Sequence, residues 1–122
     1  MTATVTSAGV DPRHAAAIAE CVARLRECHD PLAIWAFGSA VKGTAHGRSD
    51  LDFIVWEETD LPPHLRGRSF RELSRGLRPR ADPLFLTAVE IRHHLANPYS
   101  FLSTVAGSAV RVHLKRGVAP PF

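Results

Sequence analysis

Hydrophobic residues first recur at helical spacing. Ile18, Val22, Leu25 and Cys28 share a face, with Arg24, Arg26 and Glu27 between them, which predicts an amphipathic helix. Asp11-Pro12 supplies its start, since aspartate caps and proline is tolerated in the first turn. Asp30-Pro31 supplies its stop, because a residue before proline is pushed out of the α region. Residues 32–37 form a short apolar run ending at Gly38-Ser39, the mark of a buried strand. Residues 50–56 alternate, with Leu51, Phe53 and Val55 on one face and Asp50, Asp52 and Ile54 on the other. After a loop over 57–63, residues 64–77 carry a stripe of Leu65, Phe70, Leu73 and Leu77 that predicts a basic helix. A third strand is expected over 84–87, short helices over 88–96 and 99–106, and a last strand over 109–114. The ends, about 1–10 and 117–122, are expected to be loose.

Alternation of helices and strands makes the chain α/β or α+β. Its 122 residues suit a single domain spanning 1–122, and 45% hydrophobic with 22% charged residues excludes a disordered or collagen-like chain. No apolar run reaches the roughly 18 residues of a membrane span, and residues 1–10 lack the pattern of a signal peptide. A soluble cytoplasmic domain is therefore expected. Cys21 and Cys28, seven apart on one helix, read as reduced core packing.

Charge divides the chain. Residues 1–60 carry nine acidic against five basic side chains, and 61–122 carry three against ten. Arginines at 66, 68, 71, 75, 78 and 80 face only Glu72 in the same window. They could grip a triphosphate, an acidic partner surface or RNA, or simply form a solvated helix face. The window lacks the interleaved aromatics that single-strand binding uses, so no specific nucleic-acid partner is expected.

The chemistry concentrates between Gly38 and Asp52. Gly38 lets the backbone turn sharply and lets a phosphate approach. Ser39 would open a helix, where free N–H groups and the helix dipole favour an anion, and its hydroxyl adds a donor. Lys42 could add a cation within the first turn, and Ser49 could hydrogen-bond phosphate or cap the next strand. Asp50 and Asp52, two apart on a strand, project from one face about 6.6 Å apart along the chain. Carboxylates brought to ~4 Å repel by about 4 kcal/mol at an effective dielectric near 20, a cost that a dication reverses. Hard oxygen donors with room for phosphate and water suit Mg²⁺. A phosphate cradle feeding a metal-binding pair is what nucleotidyl transfer from a nucleoside triphosphate requires.

Ala36-Phe37-Gly38-Ser39 through Ser49-Asp50-Leu51-Asp52-Phe53-Ile54-Val55 resembles the signature of the nucleotidyltransferase fold shared with DNA polymerase beta. The chain's size resembles the minimal nucleotidyltransferases, which include antitoxins paired with HEPN-type toxins. That resemblance implies a small mixed, mostly antiparallel sheet of about four strands, helices on one face and the acidic site on the other. It implies ATP as substrate, two Mg²⁺ ions held by Asp50, Asp52 and Asp82, and nucleotide binding by Gly38, Ser39, Lys42 and Ser49. Asp82 matches the family's third carboxylate, which completes the metal site and helps deprotonate the acceptor hydroxyl. Here Pro83 follows it, where relatives carry an apolar residue, and proline belongs at strand starts or edges. Lys42 stands where relatives carry arginine, which keeps the charge but loses the bidentate fork.

By resemblance, the expected activity is Mg²⁺-dependent transfer of AMP from ATP to a tyrosine of a HEPN-type toxin. The alternatives are a catalytically silent antitoxin that neutralises by binding alone, and a transferase acting on a small molecule. His93 and His94 are adjacent and point apart on a helix, which suits surface roles and not one metal. His46 lies in the loop before the aspartates, and Trp35 and Trp56 suit the core.

Overall fold

The computed structural model describes residues 3–5, 12–38, 41, 51–77 and 80–122. In chain order these form β1 (Ala3–Val5), α1 (Ala15–Cys28), β2 (Ala33–Phe37), β3 (Leu51–Trp56), α2 (Arg68–Leu73), β4 (Ala81–Leu86), α3 (Ala88–Ala96), α4 (Phe101–Ala106) and β5 (Val110–Lys115). The described strands build one mixed sheet in the order β1-β5-β2-β3-β4. Four are long, and three-residue β1 pairs with β5 inside a segment expected to be loose. Only β3 and β4 run parallel, so the fold class is the mixed, mostly antiparallel one anticipated.

The helices depart from expectation by covering both faces of the sheet. On one face Ile34, Ala36, Leu51, Phe53 and Val55 pack with Ile18, Cys21, Val22 and Leu25 of α1 and Phe70 of α2. On the other, Ala33, Trp35, Phe37, Ile54 and Trp56 pack with Ile91 of α3 and Leu102 of α4. Every residue of β2 is buried, so neither side of that strand can face water and both need a covering layer. Cys21 is part of this core, and burial pushes its thiol up to about 11, which keeps it protonated and inert.

α1 follows a 3-10 turn over Pro12–His14 and ends at Cys28, ahead of Asp30-Pro31 as the sequence requires. The basic helix expected over 64–77 is shortened to Arg68–Leu73. Gly67 interrupts it with φ 80°, and a Cβ there would stand 2.5 Å from Phe85 Cε2. Only Phe70 of the expected stripe is buried; Leu65 and Leu73 are exposed. β4 begins three residues earlier than expected, at Ala81. α4 begins at Phe101, two residues later than expected, where the Ser100 hydroxyl accepts the Ser103 N–H at 3.1 Å. The Pro-rich tail is folded back: the Phe122 ring stacks on Trp35 at 4.3 Å, and Val118 joins the same cluster. An aromatic ring on this tail gains apolar contact by packing on the flank of the core. No helix among the described residues is long and apolar enough to cross a membrane.

One buried cation ties β4 to its neighbours. Arg66 donates to the Leu61 carbonyl at 2.8 Å, to the Phe85 carbonyl at 3.0 Å, and to both carboxylate oxygens of Glu90 at 2.6 and 3.1 Å. Glu90 also closes a capping box with Thr87 at the start of α3. The Arg66 hydrogen bonds hold the Glu90 carboxyl below its ordinary range. Replacing Arg66 with methionine leaves the Phe85 carbonyl without its donor and strips Glu90 of its ion pair, leaving the carboxylate only its capping bond with Thr87. Denaturant unfolding should show a loss of about 2–4 kcal/mol.

Burial also lowers the pKa of His113 from its ordinary 6.5, while its Nε2 lies 3.3 Å from the Pro31 carbonyl. The unfolded chain takes up this proton near pH 6.5 and the native chain only at lower pH. Neutral His113 therefore contributes stability fully above that value, and the contribution shrinks as pH falls below it. Unfolding measured at pH 7.5 and 5.5 should show His113→Phe losing less stability than wild type over that interval, with a difference of at most about 1.4 kcal/mol per pH unit.

Candidate active site

The acidic residues meet through strand register. β3 and β4 pair in parallel from Leu51↔Ala81 to Trp56↔Leu86, which sets Asp52 directly beside Asp82. β2 pairs with β3 in the opposite sense, with Phe37 opposite Asp52. Paired residues project to one face of a sheet, so Phe37, Asp52 and Asp82 form a row across three strands about 4.8 Å apart. That face carries α3 and α4, contrary to the expectation that the site would lie opposite the helices. The row sits where β2 ends and β3 and β4 begin. Asp82 is exposed and Asp52 half-buried, while the exposed Phe101 ring of α4 meets Phe37 edge-on at 5.4 Å.

Gly38 follows Phe37 with φ 73°, and a Cβ there would stand 2.9 Å from Asp52 Oδ2. A sharp turn and the approach of a phosphate both call for glycine here. The structure adds a third reason: its bare Cα makes room for the Asp52 carboxylate. The Gly38 carbonyl accepts the Val41 N–H at 3.1 Å, closing the turn.

Pro83 falls where the sheet can accept it. The Leu51 N–H donates to the Arg80 carbonyl at 2.7 Å, and the Glu57 N–H to the Leu86 carbonyl at 3.0 Å. Even-numbered residues of β4 therefore aim their backbone groups at β3, and odd-numbered ones aim outward. β4 is the sheet's edge, so the N–H that proline lacks would have faced away from the ladder. Asp82 keeps its place in the register.

Two carboxylates side by side on adjoining strands are unfavourable unless a cation stands between them. The donors are hard oxygens, one exposed and one half-buried, beside a glycine that leaves space; this set fits a hydrated Mg²⁺. Among the described residues no group of three His, Cys, Asp or Glu side chains surrounds a common point. Ser39, Lys42, His46, Ser49 and Asp50 lie outside the described residues. His93 and His94, with ring centroids 6.2 Å apart and near-perpendicular planes, form no metal site.

Structure divides the arginine run. Arg66 is a buried structural group, whereas Arg71, Arg75 and Arg80 line a cavity of about 610 Å³ along the outer edge of β4 that also reaches Asp82. Sequence reasoning missed the Arg66–Glu90 pair and the Phe37–Phe101 contact. The Thr87-x-x-Glu90 box was a readable signal for half of the first; nothing local announced the second.

The fold is that of a nucleotidyltransferase domain. The chain belongs to the nucleotidyltransferase domain family, whose model matches residues 17–111. Comparison with curated proteins and with solved structures finds no match.

Gly38→Ala should cost about 1–2 kcal/mol from the left-handed backbone alone, plus the displacement of Asp52. The double variant with Asp52→Ala should cost less than the two single variants combined, because the 2.9 Å contact is gone. Strict additivity in denaturant unfolding would contradict that contact.

Proposed function

We propose that this chain, as one domain spanning residues 1–122, transfers AMP from ATP to a protein hydroxyl in the cytoplasm. The acceptor in this reading is a tyrosine of a HEPN-type toxin, which makes the chain its antitoxin. The observation that carries the transfer reading is the pairing of Asp52 with Asp82 beside Gly38. Membership of the nucleotidyltransferase domain family supports a triphosphate substrate and a divalent metal. The acceptor and the antitoxin role rest on the resemblance of the Gly38 to Val55 segment and on chain size.

In this reading Gly38 and Ser39 receive the triphosphate, with Lys42 and Ser49 adding a cation and a hydroxyl. Asp50, Asp52 and Asp82 would hold two Mg²⁺ ions, which would supply positive charge against the negative charge that develops on the phosphates. The acceptor oxygen attacks the α-phosphorus, the bond from that phosphorus to the bridging oxygen breaks, and pyrophosphate leaves. Asp82 is exposed at the sheet edge, where an incoming hydroxyl can reach it and hand over its proton. The position of Pro83 on the outer side of β4 favours this enzymatic reading over a silent antitoxin, because a proline there leaves the ladder and the place of Asp82 intact.

Incubation with α-³²P-ATP, Mg²⁺ and the HEPN-type partner should label the partner, and chelation should abolish the label. Asp82→Asn should cut labelling by about 100-fold or more. As a substitution at an exposed position, it should change stability by no more than about 0.5 kcal/mol. Toxin neutralisation that survives Asp50→Asn with Asp52→Asn would instead establish binding alone.

A further inference from the structure

The cavity along β4 has a chemistry of its own. Residues between 63 and 76 form one wall and residues 80–85 the other, enclosing about 610 Å³. Four arginines line it against one carboxylate, Asp82, at the candidate active site. Arg66 is committed to Glu90 and two carbonyls, and so fixes the wall. Arg71 has no acidic partner among the described residues. The ion pair of Arg75 with Glu72 is 3.6 Å long between side chains that are 80% and 69% exposed, which water largely screens. Arg71 and Arg75 therefore bring positive charge to the groove that no buried carboxylate among the described residues offsets.

The outer edge of β4 is a poor template for strand addition. Its outward positions are Ala81, Pro83 and Phe85; the second has no N–H, and the carbonyl of the third is taken by Arg66. Recognition here falls to side-chain charge. Stacked bases find little support either. Phe85 is buried and packed against His29 at 4.8 Å, which leaves His64 as the one exposed ring in the lining. A carboxylate-rich polypeptide suits the groove better than RNA, since guanidinium groups pair with either anion in bidentate fashion but only bases require stacking surfaces, which this lining lacks beyond His64.

We propose that this groove is the acceptor channel, and that it takes an acidic polypeptide segment whose carboxylates pair with Arg71 and Arg75 so that its hydroxyl arrives at Asp82. The proposal rests on the transfer reading above for its final step, but binding in the groove needs neither ATP nor metal. The two can therefore fail separately.

Fluorescence anisotropy without nucleotide or Mg²⁺ tests it. The probe is a fluorescein-labelled tyrosine peptide flanked on each side by three glutamates, set beside its glutamine counterpart and a uridine oligonucleotide of similar charge. The acidic peptide should bind, weaken with added salt, and lose about tenfold or more in affinity in the Arg71→Glu/Arg75→Glu variant. That variant should unfold at the wild-type temperature, since both side chains are exposed. Equal binding of the glutamine peptide, or full retention by the charge-reversed variant, would overturn the proposal. Tighter binding of the oligonucleotide, lost in the same variant, would make the groove a nucleic-acid site, and competitive displacement by inorganic triphosphate would make it a phosphate site; either result overturns it. Peptide binding that behaves as expected, in a protein that never labels an acceptor, would sustain the groove and remove the transfer reading.

Discussion

The register between β3 and β4 is the constraint on which the site depends. A slip of one residue would turn Asp82 to the opposite face and leave Asp52 beside a proline or an alanine. Several groups hold that register. Backbone bonds from Leu51 to Arg80 and from Glu57 to Leu86 pin the two ends of the ladder. Arg66 grips the Phe85 carbonyl from outside, and Gly67 lets the chain pass close against the Phe85 ring. The acidic pair is unfavourable in isolation, so packing and hydrogen bonds elsewhere must impose it. A stable edge strand and a usable carboxylate row are one requirement.

Local pattern revealed the elements where apolar residues kept a regular period or a breaker was sharp. α1 obeys its 3.6-residue period and stops before Asp30-Pro31, and β3 alternates as Leu51, Phe53 and Val55 predict. What escaped was tertiary. The continuous apolar run of β2 says that a strand is buried, but not which helices lie above and below it. The stripe through Leu65, Phe70, Leu73 and Leu77 has helical spacing, yet Gly67 adopts a left-handed conformation to clear a ring eighteen residues away. No window centred on that stripe contains Phe85. The tail read as loose because proline and glycine dominate it, while a single terminal ring decides where it goes.

The site divides along the same line. Gly38 and Asp52 lie fourteen residues apart in sequence, so spacing and residue type pointed to both. Asp82 entered through family resemblance, because a parallel partner thirty residues away leaves no periodic trace. The arginines look alike in sequence, and folding gives them different work. Arg66 is buried and structural, while Arg71 and Arg75 remain at the surface beside the acidic end of β4.

The place of β5 has a consequence for how the molecule comes to be. It lies between β1 and β2, an interior position filled by the last strand in chain order. During synthesis β2, β3 and β4 emerge first, with the inner edge of β2 still bare of hydrogen-bonding partners. The carboxylate row can assemble then, but on three strands that still lack β5 and the β1 it pairs with. Closure waits for contacts roughly eighty residues apart along the chain, such as Ala33 with Leu114, and long loops of this kind slow folding. Until then the exposed edge of β2 is an apolar template on a nascent chain, the sort of surface that chaperones hold.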